Sequence, residues 1–309
     1  MAVATISQHN KGHLSWRKFV NALMLRLCTL GAVLAVVVLG LVLYFLVSRG
    51  ITALTPHFFT ATPNHDNEKA GGMAQSIFGT LVLLFIASCI GLPFGILGGI
   101  YQVESRGKFA STVRFLTDVL NGIPSIVIGI FVYAVAVAPV AKMHPGSGFS
   151  AQAGGLALGI MMIPTVMRTT EEILRLVPFS MTEASLGLGA TRWRTMWSVV
   201  LPAARGGIIT GVMLALARIA GETAPLLFTI LGNEYFSTHP GRVLGFHTQV
   251  PTLNAPIDAL PLRIYNYAMG VDPDQQHLAW AGALVLILMI LIFSIAARSA
   301  TRNKFMEEK

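Results

Sequence analysis

The chain has 309 residues, of which 54% are apolar and only 12% charged, about half the charged share of an ordinary soluble domain. This composition excludes a disordered chain and argues against a soluble enzyme; the bunching of apolar residues into long blocks overrides the two-domain reading that length alone suggests. The 22 Lys+Arg against 14 Asp+Glu give a net charge of +8, yet no basic run is interleaved with aromatics, so a nucleic-acid partner is not expected.

Crossing a membrane takes about 20 mostly apolar residues. Residues 1–26 read as a polar tail, followed by the first block, Leu27–Val47. That block lies too deep, and is too poor in small residues for cleavage, to be a removable signal. Five more follow: Ile77–Tyr101, Val119–Val140, Phe149–Met167, Gly206–Leu231 and Leu278–Ala297. Six spans therefore occupy residues 27–297, and a second tail occupies 298–309. Mixed polar stretches separate the blocks and strand-like alternation is absent. The expected fold class is all-α, a polytopic membrane helix bundle rather than a barrel. Cys28 and Cys89 sit inside blocks and read as small apolar residues, not as a disulfide framework or a zinc site.

Lys and Arg set the orientation. Sixteen of the 22 fall in the two tails, in the loop after the second block, and in the loop after the fourth, which holds Arg168, Arg175, Arg192, Arg194 and Arg205. Five fall on the opposite side, and Arg218 stands within the fifth block. Both termini are thus expected in the cytoplasm, with Ser48–Ser76 and Gly232–His277 outside. In the second outer segment Thr238-His239-Pro240-Gly241 reads as a turn and Leu260–Met269 as a short helix on the membrane surface. The outer histidines lack HxH or HxxxH spacing and read as solvated loop residues, not metal ligands.

Glycines recur every fourth residue: Gly91, Gly95 and Gly99 in the second block, Gly155 and Gly159 in the fourth, Gly207 and Gly211 in the fifth. This spacing puts small residues on one face and lets helix backbones pack closely. Pro93, Pro124, Pro139, Pro164 and Pro225 interrupt the spans. Each removes a backbone bond and frees a carbonyl one turn earlier. Helices broken in this way suit a solute path better than a rigid anchor. Ser125, beside Pro124, carries a hydroxyl able to donate to an oxyanion; helix packing is its alternative role.

In the loop after the fourth block, about 168–205, Pro178 ends one helix and Pro202 ends or kinks another. Between them Glu183–Val200 reads as a helix, a turn near Gly187–Gly189 and a second short helix. A helix–turn–helix at a membrane exit suits docking of a cytoplasmic partner. In the fifth block Arg218 and Glu222 are four residues apart, on one helix face within salt-bridge reach, and near mid-bilayer. Ionisable residues at that depth default to function, and Pro225 breaks the next turn. The guanidinium is a planar fork matched to phosphate oxygens. The alternative is a self-neutralised pair that braces the bundle.

Glu183-Ala184-Ser185, then Gly189, Val199 and Leu201-Pro202, resembles the EAA motif of permease subunits of bacterial ABC importers, with Ser185 in place of the second Ala and Val199 in place of Ile. The runs ARIAGETAPLLFT (Ala217–Thr229), DVLNGIPSIVIGIF (Asp118–Phe131) and Ile160–Pro178 are similar to the phosphate importer permeases, of the PstA type more than its PstC-type paralogue. The resemblance implies a type I ABC importer permease fold in a bacterial inner membrane, forming half of a path for inorganic phosphate. It implies that Glu183, Ala184, Ser185, Gly189, Leu201 and Pro202 seat a short helix in a groove on an ATPase. It also matches family path residues to Arg218, Glu222 and Arg168. The implied partners are a homologous PstC-type permease, two cytoplasmic PstB-type ATPases, a periplasmic phosphate-binding protein and membrane lipid.

No G-x-x-x-x-G-K-[ST] run is present, since Gly107-Lys108 is followed by Phe109. ATP and Mg therefore belong to the partner ATPase, and no cofactor is expected in this chain. No Ser/His/Asp or Cys/His grouping converges, so the chain reads as a non-catalytic subunit. Competing readings are an importer of another oxyanion, sulfate or molybdate, which Arg218 alone does not separate from phosphate, and a non-transporting scaffold or sensor that docks an ATPase. The charge pair speaks against the scaffold, and the docking loop speaks against a passive channel.

Overall fold

The computed structural model describes residues 3–63, 71–105, 107–144, 147–236, 238–243 and 246–303. The expected tail at 298–309 therefore lies partly outside the described residues. The chain divides into two units, residues 1–49 and 50–309. The first is one helix, α1 (Val3–Gly50), so the tail and the first span are continuous. From Leu27 to Val47 it is apolar around its whole circumference, as a lone span must be.

In the second unit, two short 3₁₀ turns lead into α2 (Ala74–Glu104), α3 (Lys108–Gly122), α4 (Ser125–Val132) and α5 (Ala138–Met143). Next come α6 (Ala151–Arg175), α7 (Phe179–Gly187), α8 (Arg192–Thr195), α9 (Leu201–Ala220) and α10 (Ala224–Thr229). An antiparallel hairpin, β1 (Thr238–Val243) and β2 (Phe246–Pro251), precedes α11 (Leu260–Met269) and α12 (Pro273–Asn303). The bundle itself is all-helical as expected, and the hairpin replaces only the turn expected at Thr238–Gly241. Its β-forming residues, Thr238, Val243, Phe246, Thr248 and Val250, favour the extended chain, and a two-stranded edge tolerates Pro240, which has no N–H to donate.

Among the described residues, five helical segments are long and apolar enough to cross a membrane: Trp16–Ala53, Ala74–Glu104, Ser125–Met143, Arg192–Ala220 and Pro273–Ser299. The expected fourth span, Phe149–Met167, corresponds to α6, which is long enough at 25 residues but not apolar enough. The reason is its position. Most of its surface packs against other helices, and its charged residues Arg168, Glu171, Glu172 and Arg175 gather toward its end, where Glu171 is buried and each of the four has an ion-pair partner.

The glycine spacing is used as expected. A Cβ built on Gly91 would stand 2.7 Å from Met162, on Gly95 2.6 Å from Val166, and on Gly99 2.7 Å from Thr170. Both series ascend together, so α2 and α6 run parallel in close contact. Gly207 meets Ile173 and Gly211 meets Thr169, a descending series that makes α9 antiparallel to both. Leu83, Ala87, Leu158, Met162 and Val166 fill the core between them.

Prolines act in two ways. Pro124 holds Ile123 extended (φ −72°, ψ 130°), so the expected span Val119–Val140 is two helices, α3 and α4, and the crossing segment starts at Ser125. Pro139 and Pro202 break nothing. Each follows a five-residue π segment, Tyr133–Val137 or Met196–Val200, whose wider turn accommodates the missing N–H. The fifth span accordingly runs from Arg192 to Ala220, not from Gly206 to Leu231, and stops at a break over residues 221–223. The helix expected over Leu260–Met269 forms at those bounds, but Leu260, Leu262, Arg263 and Tyr267 are buried in it, so it is packed in the fold and does not lie flat on the surface.

Candidate functional site

The docking loop is built by chain punctuation. Pro178 caps α7, which therefore starts at Phe179, four residues before the expected Glu183. At its other end Gly189 takes φ +86°, the left-handed conformation that glycine adopts without strain. Gly189 N–H donates to Leu186 O at 2.9 Å and Ala190 N–H to Ser185 O at 3.2 Å, the paired bonds of a Schellman ending. Thr191 then caps α8, its hydroxyl accepting from Arg194 N–H at 3.3 Å. Ser185 Oγ lies 2.9 Å from Thr195 Oγ1 and ties α7 to α8, a bond that the family's Ala could not make. Leu201 is half-buried at the start of α9 and Pro202 is exposed beside it. Glu183 and Ala184 are exposed, α7 buries no residue, and Leu188 is 90% exposed. A nine-residue helix with no buried face is marginal alone in water; this one presents its surface to something else.

Behind the loop, the α6 terminus holds an ion network. Glu171, with 4% of its side chain exposed, accepts through one oxygen, Oε1, from Arg114 Nε at 2.9 Å and from Arg175 Nη2 at 2.8 Å. Arg168, expected on the solute path, is instead held by Glu172 at 2.7 Å and Asp118 at 3.5 Å. Two carboxylates already face its charge, and it makes no contact with Arg218.

Arg218 lies in the last turn of α9 and Glu222 just past its end. Extending the Gly207–Ile173 and Gly211–Thr169 register along the antiparallel pair sets Arg218 level with Met162, near the middle of both α2 and α6. The break at residues 221–223 follows at that height, and α10 continues beyond it. Arg218 Nε and Glu222 Oε1 are 3.9 Å apart, with side chains 51% and 21% exposed. That is a loose ion pair, beyond hydrogen-bond distance. Thr210, Leu214, Arg218 and Gly221 form a stripe of α9 that is exposed. Across the break, α10 leans on α4: a Cβ on Gly129 would stand 2.6 Å from Pro225 Cα. Ser125 is one turn before Gly129 and faces the same side. Arg218 and Glu222 thus stand together at the break, Ser125 lies one turn from the α4–α10 contact, and Arg168 is paired with Glu172 and Asp118.

At the opposite end a buried cluster escaped the sequence reading. Asp258 Oδ2 accepts from Arg263 Nε at 2.8 Å, from Ser76 Oγ, and from Gln75 Nε2 at 3.5 Å, while Arg263 Nη1 reaches Glu234 Oε1 at 3.1 Å. Leu260 N–H donates to Thr80 Oγ1 at 2.8 Å. These bonds fasten the segment between α10 and α11 to the start of α2. Burial pushes the Asp258 carboxyl upward, against the opposing pull of Arg263 and the Ser76 hydroxyl. Arg263 is one of the five basic residues counted on the side opposite the termini; its i, i+5 relation to Asp258 is the available signal.

Residues 91–303 match the family described as "Binding-protein-dependent transport system inner membrane component". The chain is 39% identical over 297 residues to the phosphate transport system permease protein PstA of Yersinia pestis, covering 96% of this chain and 94% of that protein. It is 39% identical over 309 residues to the PstA protein of Xylella fastidiosa (strain 9a5c), covering 99% and 100%. Among solved structures it resembles a chain of a bacterial alginate ABC transporter at a TM-score of 0.62, with 15% identity, covering 93% of this chain and 97% of that one; at that identity the likeness speaks for the fold.

Proposed function

The chain belongs to the binding-protein-dependent transport inner membrane components, among the PstA permeases, and from that premise we propose that it is the permease subunit of an ATP-driven importer of inorganic phosphate. It lines half of the path beside a homologous PstC-type permease. A binding protein delivers the anion outside, and one of two separate ATPase subunits, which hydrolyse ATP, docks at residues 179–195 of this chain. Six crossings, with α6 as the one shielded from lipid, and cytoplasmic termini agree with the one-sided distribution of Lys and Arg.

The observation that carries this reading is the Arg218–Glu222 pair. A guanidinium at mid-height, half exposed and loosely held beside a broken helix turn, needs protein or water around it in a membrane. Phosphate offers oxygens that the fork can engage and release. Glu222 holds the charge between passages and discourages deep anion trapping. The test is uptake into proteoliposomes containing the complete complex. Phosphate uptake is expected to require both ATP and the binding protein and to exceed sulfate uptake. Preference for sulfate would overturn the anion assignment, and ATP hydrolysis without uptake of either would favour a scaffold.

Docking yields a second expected result. Gly189→Val is expected to reduce co-purification of the ATPase about tenfold, because a left-handed L-residue costs about 1–2 kcal/mol and a β-branched one is worse. Gly189→Asn, which tolerates that conformation, is expected to bind nearly as wild type. No atom lies within 4 Å of a Cβ at Gly189, so backbone angle, not crowding inside this chain, separates the two variants. Equal pull-down of ATPase by Gly189→Val and Gly189→Asn would count against the docking assignment.

A further inference from the structure

We propose that the Arg114–Glu171 clasp is the joint that makes α3 and α4 follow the docking loop, so that both sides of the break at 221–223 move together. The inference rests on the transport reading above. The α9 side of the break needs no joint, because α8 and the Met196–Val200 segment run straight into α9, whose last turn carries Arg218. The α10 side is different. It leans on α4 through Pro225 and Gly129, and α4 is reached from α3 through the extended link at Ile123 and Pro124.

α3 buries only Ala110 and Thr117; beside the ring contact of Phe109 with Tyr101 and the neutral contacts of Thr117 with Gln102 at 3.2 Å and Met167 at 3.1 Å, its remaining ties are polar. Those polar ties are unequal. The Arg168–Asp118 pair is 3.5 Å long with side chains 42% and 57% exposed, a geometry worth about 0–1 kcal/mol. Thr165 to Asn121 is long at 3.4 Å. Arg114 alone reaches a buried carboxylate, Glu171 on α6, and also donates to Gln102 O at 3.1 Å, one of the last carbonyls of α2. One guanidinium thus binds α2, α3 and α6 together. Glu171 stands one turn before Arg175, and α7 starts four residues after Arg175. The linker is stiffened by Leu176 N–H donating to Ile173 O at 3.1 Å. A displacement of α7 therefore reaches α3 through a single short hinge. Both guanidiniums crowd onto Glu171 Oε1, while the buried Oε2 has no partner among the described residues. The carboxylate can pass a guanidinium from one oxygen to the other as the helices shift, without releasing it.

The experiment reads uptake and ATP hydrolysis separately in the reconstituted complex, with Arg114→Gln, Arg114→Lys and Arg175→Gln. Arg114→Gln leaves Glu171 paired with Arg175, so no buried charge is orphaned and the complex is expected to assemble. Phosphate moved per ATP is expected to fall about tenfold, the scale of a 1.4 kcal/mol coupling term. Arg175→Gln removes an exposed pair within one helix and is expected to change the ratio by no more than about twofold. Arg114→Lys keeps a point charge but not the fork, and its ratio is expected to lie between. A wild-type ratio in Arg114→Gln, or equal losses in the Arg114→Gln and Arg175→Gln variants, would overturn the proposal. Should Arg114→Gln not assemble, Arg114→Lys decides it: a reduced ratio at normal yield supports the joint, and an unchanged ratio refutes it. A wild-type complex that hydrolyses ATP without moving phosphate would refute the transport reading instead.

Discussion

Arg218→Gln is expected to lower phosphate uptake about 100-fold or more while the complex assembles at wild-type yield, because two charge-assisted hydrogen bonds to the anion are lost at about 1.5–3 kcal/mol each. Assembly is expected to survive for a geometric reason. The pair with Glu222 spans 3.9 Å and Arg218 is 51% exposed in this chain, so its worth as a brace is small. Arg218→Lys is expected to restore uptake poorly, since an ammonium offers no planar fork. The brace reading predicts a different pattern. There, Arg218→Gln leaves Glu222 uncompensated and depresses yield, and the double change with Glu222→Gln restores yield and uptake together. The double variant is expected here to assemble and to transport nothing. Near-normal uptake in it would show that the pair is structural and that the path runs elsewhere.

How far these sites were legible depended on whether the signal was local. The Gly91, Gly95 and Gly99 spacing announced a close helix contact, and Met162, Val166 and Thr170 supply it at the same four-residue interval. The run from Glu183 to Val200 read as a helix, a turn and a second short helix, and α7, the left-handed Gly189 and α8 supply them. Leu260–Met269 was read as a helix from its residues alone. The π segments were not legible, because a wider turn leaves the apolar pattern unchanged and only the downstream Pro139 and Pro202 hint at it. The break at Ile123 and Pro124 was hidden by apolarity on both sides. The span boundary at Ala220 was missed for the converse reason: apolar residues continue past the break into α10. Partners distant in sequence were out of reach. Nothing around Arg114 announces Glu171, 57 residues away, and nothing around Ser76 announces Asp258, 182 residues away.

The outer cluster allows the sharpest stability test, because its two charges are unequally supported. Arg263→Met would leave Asp258, 1% exposed, with only the Ser76 hydroxyl and a 3.5 Å contact to Gln75. Stranding one partner of a buried pair costs about 3–5 kcal/mol. Asp258→Asn strands Arg263 less completely, since Glu234 still faces it at 3.1 Å. The cost of Asp258→Asn is therefore expected to be the smaller, and the double change Asp258→Asn with Arg263→Met is expected to recover much of the loss. The pH dependence adds an independent sign. Burial already raises the Asp258 carboxyl, and losing the guanidinium raises it further. A carboxyl whose folded value stands above its unfolded value of about 4 binds its proton more tightly in the fold. Its stabilising contribution is present at acid pH and is lost as pH climbs from about 4 through the raised folded value. Arg263→Met, melted in detergent beside the wild type, is therefore expected to close part of its stability gap on acidification from pH 8 to pH 5. A gap that widens on acidification would mean that Asp258 does not depend on Arg263, and a greater cost for Asp258→Asn than for Arg263→Met would mean that Glu234 does not hold Arg263 in its place.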